Sequence, residues 1–453
     1  MTPNPNIFRK YDIRGIADRD LTDETVYLIG RAFASFMIKQ TGVKNPTVVV
    51  GRDIRPSSPR MKNAMAKALM DSGVNVIDIG IVTTPVTYFS IVNLNTTGGV
   101  MITGSHNPAD QNGIKPCIGR ASVYGDDIQK LRQMIDAKDF VDGKGTETLK
   151  DMIPVYQEDL KKKIRFSRKL RVVIDSGNGT AGLVAPKLYR DMGLEVIELF
   201  TEPDSRFPNH HPDPTIEKNL IDLIKTVKEK KADVGLAFDG DADRIGVIDN
   251  EGNIIWGDKL LILYSRFILE QKPGAKFIAD VKCSRSFFED VEKHGGKAIM
   301  WKTGHALIKQ KLKDEQADLA GEMSGHMFFV NRYYGFDDAV YAGLRVLEIL
   351  DQKNKKLADL LSDIPKTFAT PEIRFHSTDE KKFAIVDRVA EYFSKLYPTL
   401  TIDGARIDFG DGWGLIRSSN TEPVLVMRFE ASTEKRLQEI KSIVEQKAEE
   451  FSK

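Results

Sequence analysis

A chain of 453 residues is too long for one ordinary hydrophobic core, and at roughly 100–150 residues per domain it predicts three or four domains. Hydrophobic residues make up 41% and charged residues 29%, and 66 basic against 65 acidic residues leave no global field for nucleic acid or an anionic membrane. The start lacks the apolar core of a signal peptide and no apolar run approaches the roughly 18 residues of a membrane span; with Cys117 and Cys283 far apart and without metal-ligand spacing, a cytoplasmic protein is expected, with neither nucleic acid nor membrane as partner.

In chain order, "FRKYDIRG" first gathers Arg9, Lys10 and Arg14 around Tyr11. From Thr47, "TVVVGRDIRPSSPRMKNAMAKALMDSGVNVIDIG" reads as a buried β-branched strand, an aspartate (Asp53), a polar turn, an amphipathic helix, a glycine stop (Gly73) and a second strand. The same grammar returns from Leu170, with Asp175 and Gly193, and from Ala275, with Asp280 and Gly295. Short apolar runs of this kind are strands buried on both faces of an α/β sheet, and a glycine just past each helix fits the left-handed cap.

Downstream in each unit a further small/apolar strand runs into a loop dense with chemistry: "GGVMITGSHNP", "DVGLAFDGDADR" and "ADLAGEMSGH". Ligands of open α/β folds bind beyond the carboxyl ends of strands, so three equivalent loops predict one shared cleft. The first loop holds Ser105 out between a glycine and a histidine, with Lys115 at its far end. The second places Asp239, Asp241 and Asp243 at alternate positions; three carboxylates this close call for a cation, and an all-oxygen set favours Mg²⁺, Mn²⁺ or Ca²⁺ over zinc. It is not an EF-hand, since the sixth position is Arg244 and the twelfth Asn250. The third offers Glu322, Ser324 and His326, a set able to read sugar hydroxyls by geometry.

Beyond about residue 365 the pattern changes to paired strands and turns with helices before and after, a smaller α+β domain of a different kind. Its loop "RSSNTEP" puts Arg417, Ser419, Asn420 and Thr421 together, suited to wrapping a phosphate. The domains expected are 1–150 with the serine loop, 151–253 with the aspartate loop, 254–365 with the sugar loop and 366–453 with the phosphate loop, and residues 365–371 are the expected hinge. An exposed hydroxyl, a carboxylate metal site, a polyol-reading loop and a phosphate clamp suit phosphoryl transfer to or from a sugar phosphate.

"YDIRG", "TGSHNP", "DGDADR", "GEMSGH" and "RSSNTEP", in that order over essentially the whole chain, closely resemble the α-D-phosphohexomutase superfamily and, through Met323 after Glu322, its bacterial phosphomannomutase/phosphoglucomutase group. The resemblance implies an α/β protein of four domains, three of them related mixed-sheet α/β domains and the last a TATA-binding-protein-like α+β domain, around a central cleft. It implies that Ser105 is a phosphoserine carrier whose phosphate joins Asp239, Asp241 and Asp243 on Mg²⁺. It implies that Arg417, Ser419, Asn420 and Thr421 hold the substrate phosphate, and that Glu322 and Ser324 hold sugar hydroxyls. Arg14, Lys115 and Arg244 would balance charge near the transfer, with Lys115 and His326 as proton-transfer candidates. Tyr11, His106, Asn107, Lys282, Lys302 and His305 would line the cleft. The activity implied is interconversion of hexose 1-phosphates and 6-phosphates, of mannose and also glucose, through glucose or mannose 1,6-bisphosphate, with glucose 1,6-bisphosphate as activator. The alternatives are a phosphoglucosamine mutase and a metal-dependent sugar phosphatase. A monomer or weak dimer is expected.

Overall fold

The structure is a computed structural model, and it describes residues 3–378, 381–419 and 424–452. In each of the first three domains a leading strand, Thr47–Arg52, Arg171–Asp175 or Lys276–Asp280, lies between two parallel neighbours. The outer neighbour is then joined by an antiparallel strand: Gln111–Ile118, Ile245–Asp249 or Met327–Phe329. This is the mixed sheet expected of the repeat, three times over. The leading strands are buried as their β-branched runs require, with Val48, Val49, Val50, Val172, Val173 and Ile278 at 0% exposure. Gly73, Gly193 and Gly295 adopt φ of 82°, 90° and 78° just past the helices Ser58–Asp71, Ala185–Asp191 and Arg285–Lys293, the left-handed caps their positions predict.

The sheet topology places each functional loop at the same corner, between the outer parallel strand and its antiparallel partner. Residues 103–110 follow Gly98–Ile102, residues 239–244 follow Val234–Phe238, and residues 322–326 follow Leu319–Gly321. The repeat aspartates brace these corners. Asp53 Oδ2 accepts from the Gly104 backbone N–H at 3.0 Å, and Asp280 Oδ1 accepts from that of Met323 at 3.3 Å. Asp175 departs from the pattern: it accepts from the Gly177 N–H and pairs with His210 instead of reaching its aspartate loop.

One continuous core runs through all three α/β domains, from Val49 and Phe89 through Tyr156 and Leu188 to Tyr264 and Leu347. Its tie is the helix Ala339–Lys353, in which 13 of 15 residues are buried. At about 1.5–3 kcal/mol per buried large apolar side chain, this helix fixes the second and third domains to each other. Its N-cap, Asp338, accepts from the Tyr341 N–H and from the buried hydroxyls of Tyr156 and Tyr333.

The fourth domain has its own core, in which Ile385, Val389 and Phe393 of one helix and Leu437, Ile440 and Val444 of another pack with Ile416, Leu425 and Met427. Its sheet is antiparallel, with Val424–Ala431 pairing Gly412–Ser418 on one side and Ile373–His376 and Phe368–Ala369 on the other. Phe368 and Ala369, within the expected hinge of residues 365–371, therefore belong to this sheet. A small cluster of Val281, Trp413 and Leu415 joins domains three and four. No helix among the described residues is long and apolar enough to cross a membrane.

Candidate active site

Ser105 sits in a backbone conformation with φ 48°, a region non-glycine residues visit rarely and usually for a reason. Arg55 supplies the hold. Its guanidinium, 1% exposed, donates to the carbonyls of Ser105 (2.9 Å), Asn107 (2.6 Å), Pro108 (2.5 Å) and Gln111 (3.0 Å), while Nε pairs with Asp53 at 3.2 Å. The Ser105 N–H donates to Thr103 Oγ1 at 2.9 Å. So fixed, the hydroxyl donates to Asp239 Oδ2 at 2.8 Å and lies 3.0 Å from His106 Nδ1.

Asp239, Asp241 and Asp243 are 0%, 0% and 1% exposed. One oxygen from each lies within 4.8 Å of the others. Lys115 reaches in from the neighbouring domain, with Nζ 2.7 Å from both Asp241 Oδ2 and Asp243 Oδ2, and Thr84 donates to Asp241 Oδ2 at 2.6 Å. Asp241 Oδ1 is buried without a hydrogen-bond partner among the described residues, and Asp243 Oδ1 faces His326 Nε2 at 3.2 Å. A buried carboxylate oxygen left unpaired is costly, so these residues fit a divalent cation held by oxygen donors.

Burial raises Asp239, and the adjacent Asp243 and Asp241 raise it further, well above the usual carboxylate range. Burial acts the same way on Asp243, but Lys115 and His326 outweigh it and hold that carboxyl well below the usual range. Burial disfavours the Lys115 ammonium, yet Asp241 and Asp243 outweigh it and raise the lysine. His326 is likewise opposed by burial but lifted by Asp243, at 3.2 Å, and Glu322, at 2.8 Å, up to about 9. Burial, then Arg244 and Arg14, push His106 well below the ordinary histidine value.

The sugar loop is tied into this set. Glu322 Oε2 meets His326 Nδ1, and Oε1 accepts from the Gly304 N–H at 2.6 Å. Ser324 Oγ lies 3.3 Å from His326 Nδ1, and Arg244 Nε lies 3.3 Å from His326 Nε2. Arg14 is held by Asp12 at 2.7 Å and donates to Asn107 Oδ1 at 3.2 Å. His305 is 8% exposed; both of its ring nitrogens lack a hydrogen-bond partner among the described residues, with Asp337 Oδ2 3.9 Å from Nδ1. The predicted residues Ser105, His106, Asn107, Arg14, Lys115, Arg244, His326, Glu322 and Ser324 thus form one connected cluster with the three aspartates.

A second cluster lies where the first, third and fourth domains meet. Tyr11 donates its hydroxyl to the Thr303 carbonyl at 2.8 Å, Lys282 pairs with Glu372 at 3.3 Å, and Arg417 pairs with Asp403 at 3.0 Å. Lys302 and His305 flank the Thr303–Gly304 turn. The Ser419 N–H donates to the Val424 carbonyl at 2.9 Å; Asn420 and Thr421 lie outside the described residues. Arg55, Thr84 and Asp403 were not among the residues that sequence reasoning selected. Arg55 stands two positions after a flagged aspartate, which was its one available signal; Thr84 and Asp403 had none.

Sequence models of the four domains of phosphoglucomutase/phosphomannomutase match this chain, α/β/α domain I over residues 5–142, domain II over 154–252, domain III over 256–368 and the C-terminal domain over 372–447. A phosphomannomutase/phosphoglucomutase of Pseudomonas putida is 46% identical over 97% of this chain and 94% of its own. A phosphoglucomutase of Neisseria gonorrhoeae is 44% identical over 96% and 95%. The crystal structure of a phosphoglucomutase/phosphomannomutase family protein from Burkholderia thailandensis superposes with a TM-score of 0.93 at 41% identity, covering 99% of this chain and 98% of that one. The chain is an α-D-phosphohexomutase by fold and, within that superfamily, belongs to the phosphoglucomutase/phosphomannomutase family.

Proposed function

We propose that this protein interconverts the 1-phosphates and 6-phosphates of mannose and glucose, with Ser105 as the phosphoryl carrier. The observation that carries the reading is the Ser105 hydroxyl, held at positive φ and 2.8 Å from Asp239 in a buried three-aspartate site. Mg²⁺ held there, with an oxygen of the Ser105 phosphate, would draw negative charge from the phosphoryl group.

The residues of the chain do the rest. Arg417, Ser419, Asn420 and Thr421 hold the phosphate of a hexose 1-phosphate, with Tyr11, Lys282, Lys302 and His305 around it. Glu322 and Ser324 hold sugar hydroxyls and present the 6-hydroxyl to phosphoserine 105. The hydroxyl oxygen bonds to phosphorus, the bond from phosphorus to Ser105 Oγ breaks, and Lys115 or His326 gives its proton to the departing Ser105 Oγ and takes up the one the sugar hydroxyl loses. Arg14, Arg244, His106 and Asn107 steady the charge at that end. The hexose 1,6-bisphosphate then turns over and returns its 1-phosphoryl group to Ser105, leaving hexose 6-phosphate. Added glucose 1,6-bisphosphate would rephosphorylate any enzyme left with a free serine.

Phosphorus NMR of mannose 1-phosphate and glucose 1-phosphate, each with Mg²⁺ and a trace of glucose 1,6-bisphosphate, tests this. Conversion of both to 6-phosphates without free phosphate is expected. Accumulating inorganic phosphate would replace the mutase with a phosphatase, and turnover of glucosamine 1-phosphate alone would move the specificity.

A further inference from the structure

The fourth domain touches the third in two ways that differ in kind. Behind the site, Arg406 donates to the carbonyls of Val281 and Cys283, Arg428 donates to that of Lys282, and Arg285 bonds Asp408 and the Gly410 carbonyl. Arg406 lies on the Trp413 ring at 3.7 Å, and Trp413 packs with Val281. These bonds surround the small apolar cluster and grip one short backbone segment, as a pivot would.

At the site itself, among the described residues, two carboxylates of the fourth domain make the contact: Glu372, paired with Lys282 at 3.3 Å, and Asp403, which reaches the backbone. Asp403 Oδ2 accepts from the Thr303 backbone N–H at 3.0 Å and from Arg417 Nε at 3.0 Å, and Oδ1 accepts from Arg417 Nη2 at 3.4 Å. Thr303 is a junction. Its carbonyl accepts from Tyr11 of the first domain, its hydroxyl donates to Asp280 at 3.2 Å, and the next N–H, of Gly304, donates to Glu322. One line of hydrogen bonds therefore runs from Tyr11 through Thr303 and Asp403 to Arg417, crossing three domains. Asp403 also sets the guanidinium: with Nε and Nη2 engaged, Nη1 remains, among the described residues, for a ligand phosphate.

We propose that Asp403 is a positioning residue, the latch that joins the phosphate-holding Arg417 to the Thr303 turn and keeps the site closed while a bisphosphate turns over. The latch rests on the mutase reading above. Its bond to a single backbone N–H can break and reform in each catalytic cycle. The surroundings favour this. Lys10, Lys302 and Arg417 gather positive charge near the turn, and burial, with Lys302 and Arg417 nearby, lowers Lys10 despite the counter-charge of Asp403, whereas Lys282 is offset by Glu372, Asp280 and Glu322. Two phosphates relieve that repulsion, so an occupied site closes and an empty one opens. Loss of the latch lets the bisphosphate escape before the second transfer, leaving an unphosphorylated serine.

The test compares wild type with Asp403→Asn and with Arg285→Ala, which weakens the pivot side alone. Phosphorylated enzyme is given glucose 1-phosphate, and glucose 1,6-bisphosphate released per glucose 6-phosphate formed is counted. Asp403→Asn should raise that ratio at least tenfold, with a matching rise in the glucose 1,6-bisphosphate needed for half-maximal rate and an unchanged melting temperature. Arg285→Ala should leave the ratio as in wild type, and Asp403→Glu should recover part of it. An unchanged ratio in a folded Asp403→Asn, or an equal rise in Arg285→Ala, overturns the latch. Should Asp403→Asn not fold, hydrogen exchange on wild type decides: glucose 1,6-bisphosphate should slow the Thr303 amide at least tenfold, and no slowing overturns the proposal. Wild type that forms no glucose 6-phosphate would instead overturn the mutase reading.

Discussion

Ser105 and Asp239 stand 134 positions apart in different domains, yet the hydroxyl of one donates to the carboxylate of the other at 2.8 Å. The proposed carrier and the three-aspartate site are thus built as one unit. Removing a nucleophile that acts with its partners costs on the order of 10⁶ in turnover, so Ser105→Ala should fall to background. Asp239→Asn keeps the shape but not the charge and should lose on the order of 10²–10³-fold in kcat. Assays of kcat and KM with glucose 1-phosphate check both; a Ser105→Ala enzyme that still turns over would remove the carrier.

Chelation is the companion experiment. Dialysis against EDTA should abolish turnover, and Mg²⁺ should restore it without refolding, because Lys115 and Thr84 already hold Asp241 in place. Full activity after exhaustive metal removal would contradict the cation site.

Arg55 predicts a separation of stability from rate. Arg55→Ala leaves Asp53 buried without its cation and should destabilise the protein by about 3–5 kcal/mol. Arg55→Lys keeps the charge but cannot make four carbonyl bonds, so the Ser105 loop loosens and kcat should fall by up to about 10²-fold. Urea melts and steady-state rates on the two variants check this, and an Arg55→Lys enzyme with wild-type kcat would contradict it.

Asp338 predicts a pH dependence of stability remote from catalysis. Burial lifts its carboxyl to about 7 against an ordinary 3.8, even though Tyr333, Tyr341 and Tyr156 donate hydrogen bonds that lower it; the neighbouring Asp337 lifts it further. The folded state therefore binds this proton more tightly than the unfolded state, and stability falls as pH rises from about 4 through about 7. The full cost above that window is on the order of 4 kcal/mol. Asp338→Asn keeps the N-cap acceptor and removes the titration, so it should be more stable than wild type at pH 8 and not at pH 4. Parallel stability curves for the two proteins would sink this account.

On the phosphate side, Asn420→Ala should raise KM for mannose 1-phosphate by roughly 3–10-fold, the worth of one neutral hydrogen bond, with kcat changed less. Steady-state kinetics decides it, and an unchanged KM would take Asn420 out of the clamp.

The repeat was legible because strand, helix and glycine cap each leave a periodic signature, and the functional loops follow from where that repeat ends. Asp53 and Asp280 were legible as strand-end carboxylates, though what they bind, the Gly104 and Met323 backbones, was not. Arg55 escaped because it acts on carbonyl oxygens, which every residue carries. Asp403 escaped because its partners lie 14 and 100 positions away. Lys115 was visible as a cation near the serine loop, but that it enters a second domain's aspartate site depends on packing between domains. The strand Phe368–Ala369 was not legible, because two residues are too few to show alternation.

The most direct measurement is the site of phosphorylation. The protein is incubated with ³²P-labelled glucose 1,6-bisphosphate and Mg²⁺, quenched in acid and digested, and the labelled peptide is sequenced. The label should sit on Ser105 and disappear on a chase with unlabelled glucose 1-phosphate, emerging in sugar phosphate and not as free phosphate. A label on another residue, or none at all in protein that turns over substrate, would contradict the account.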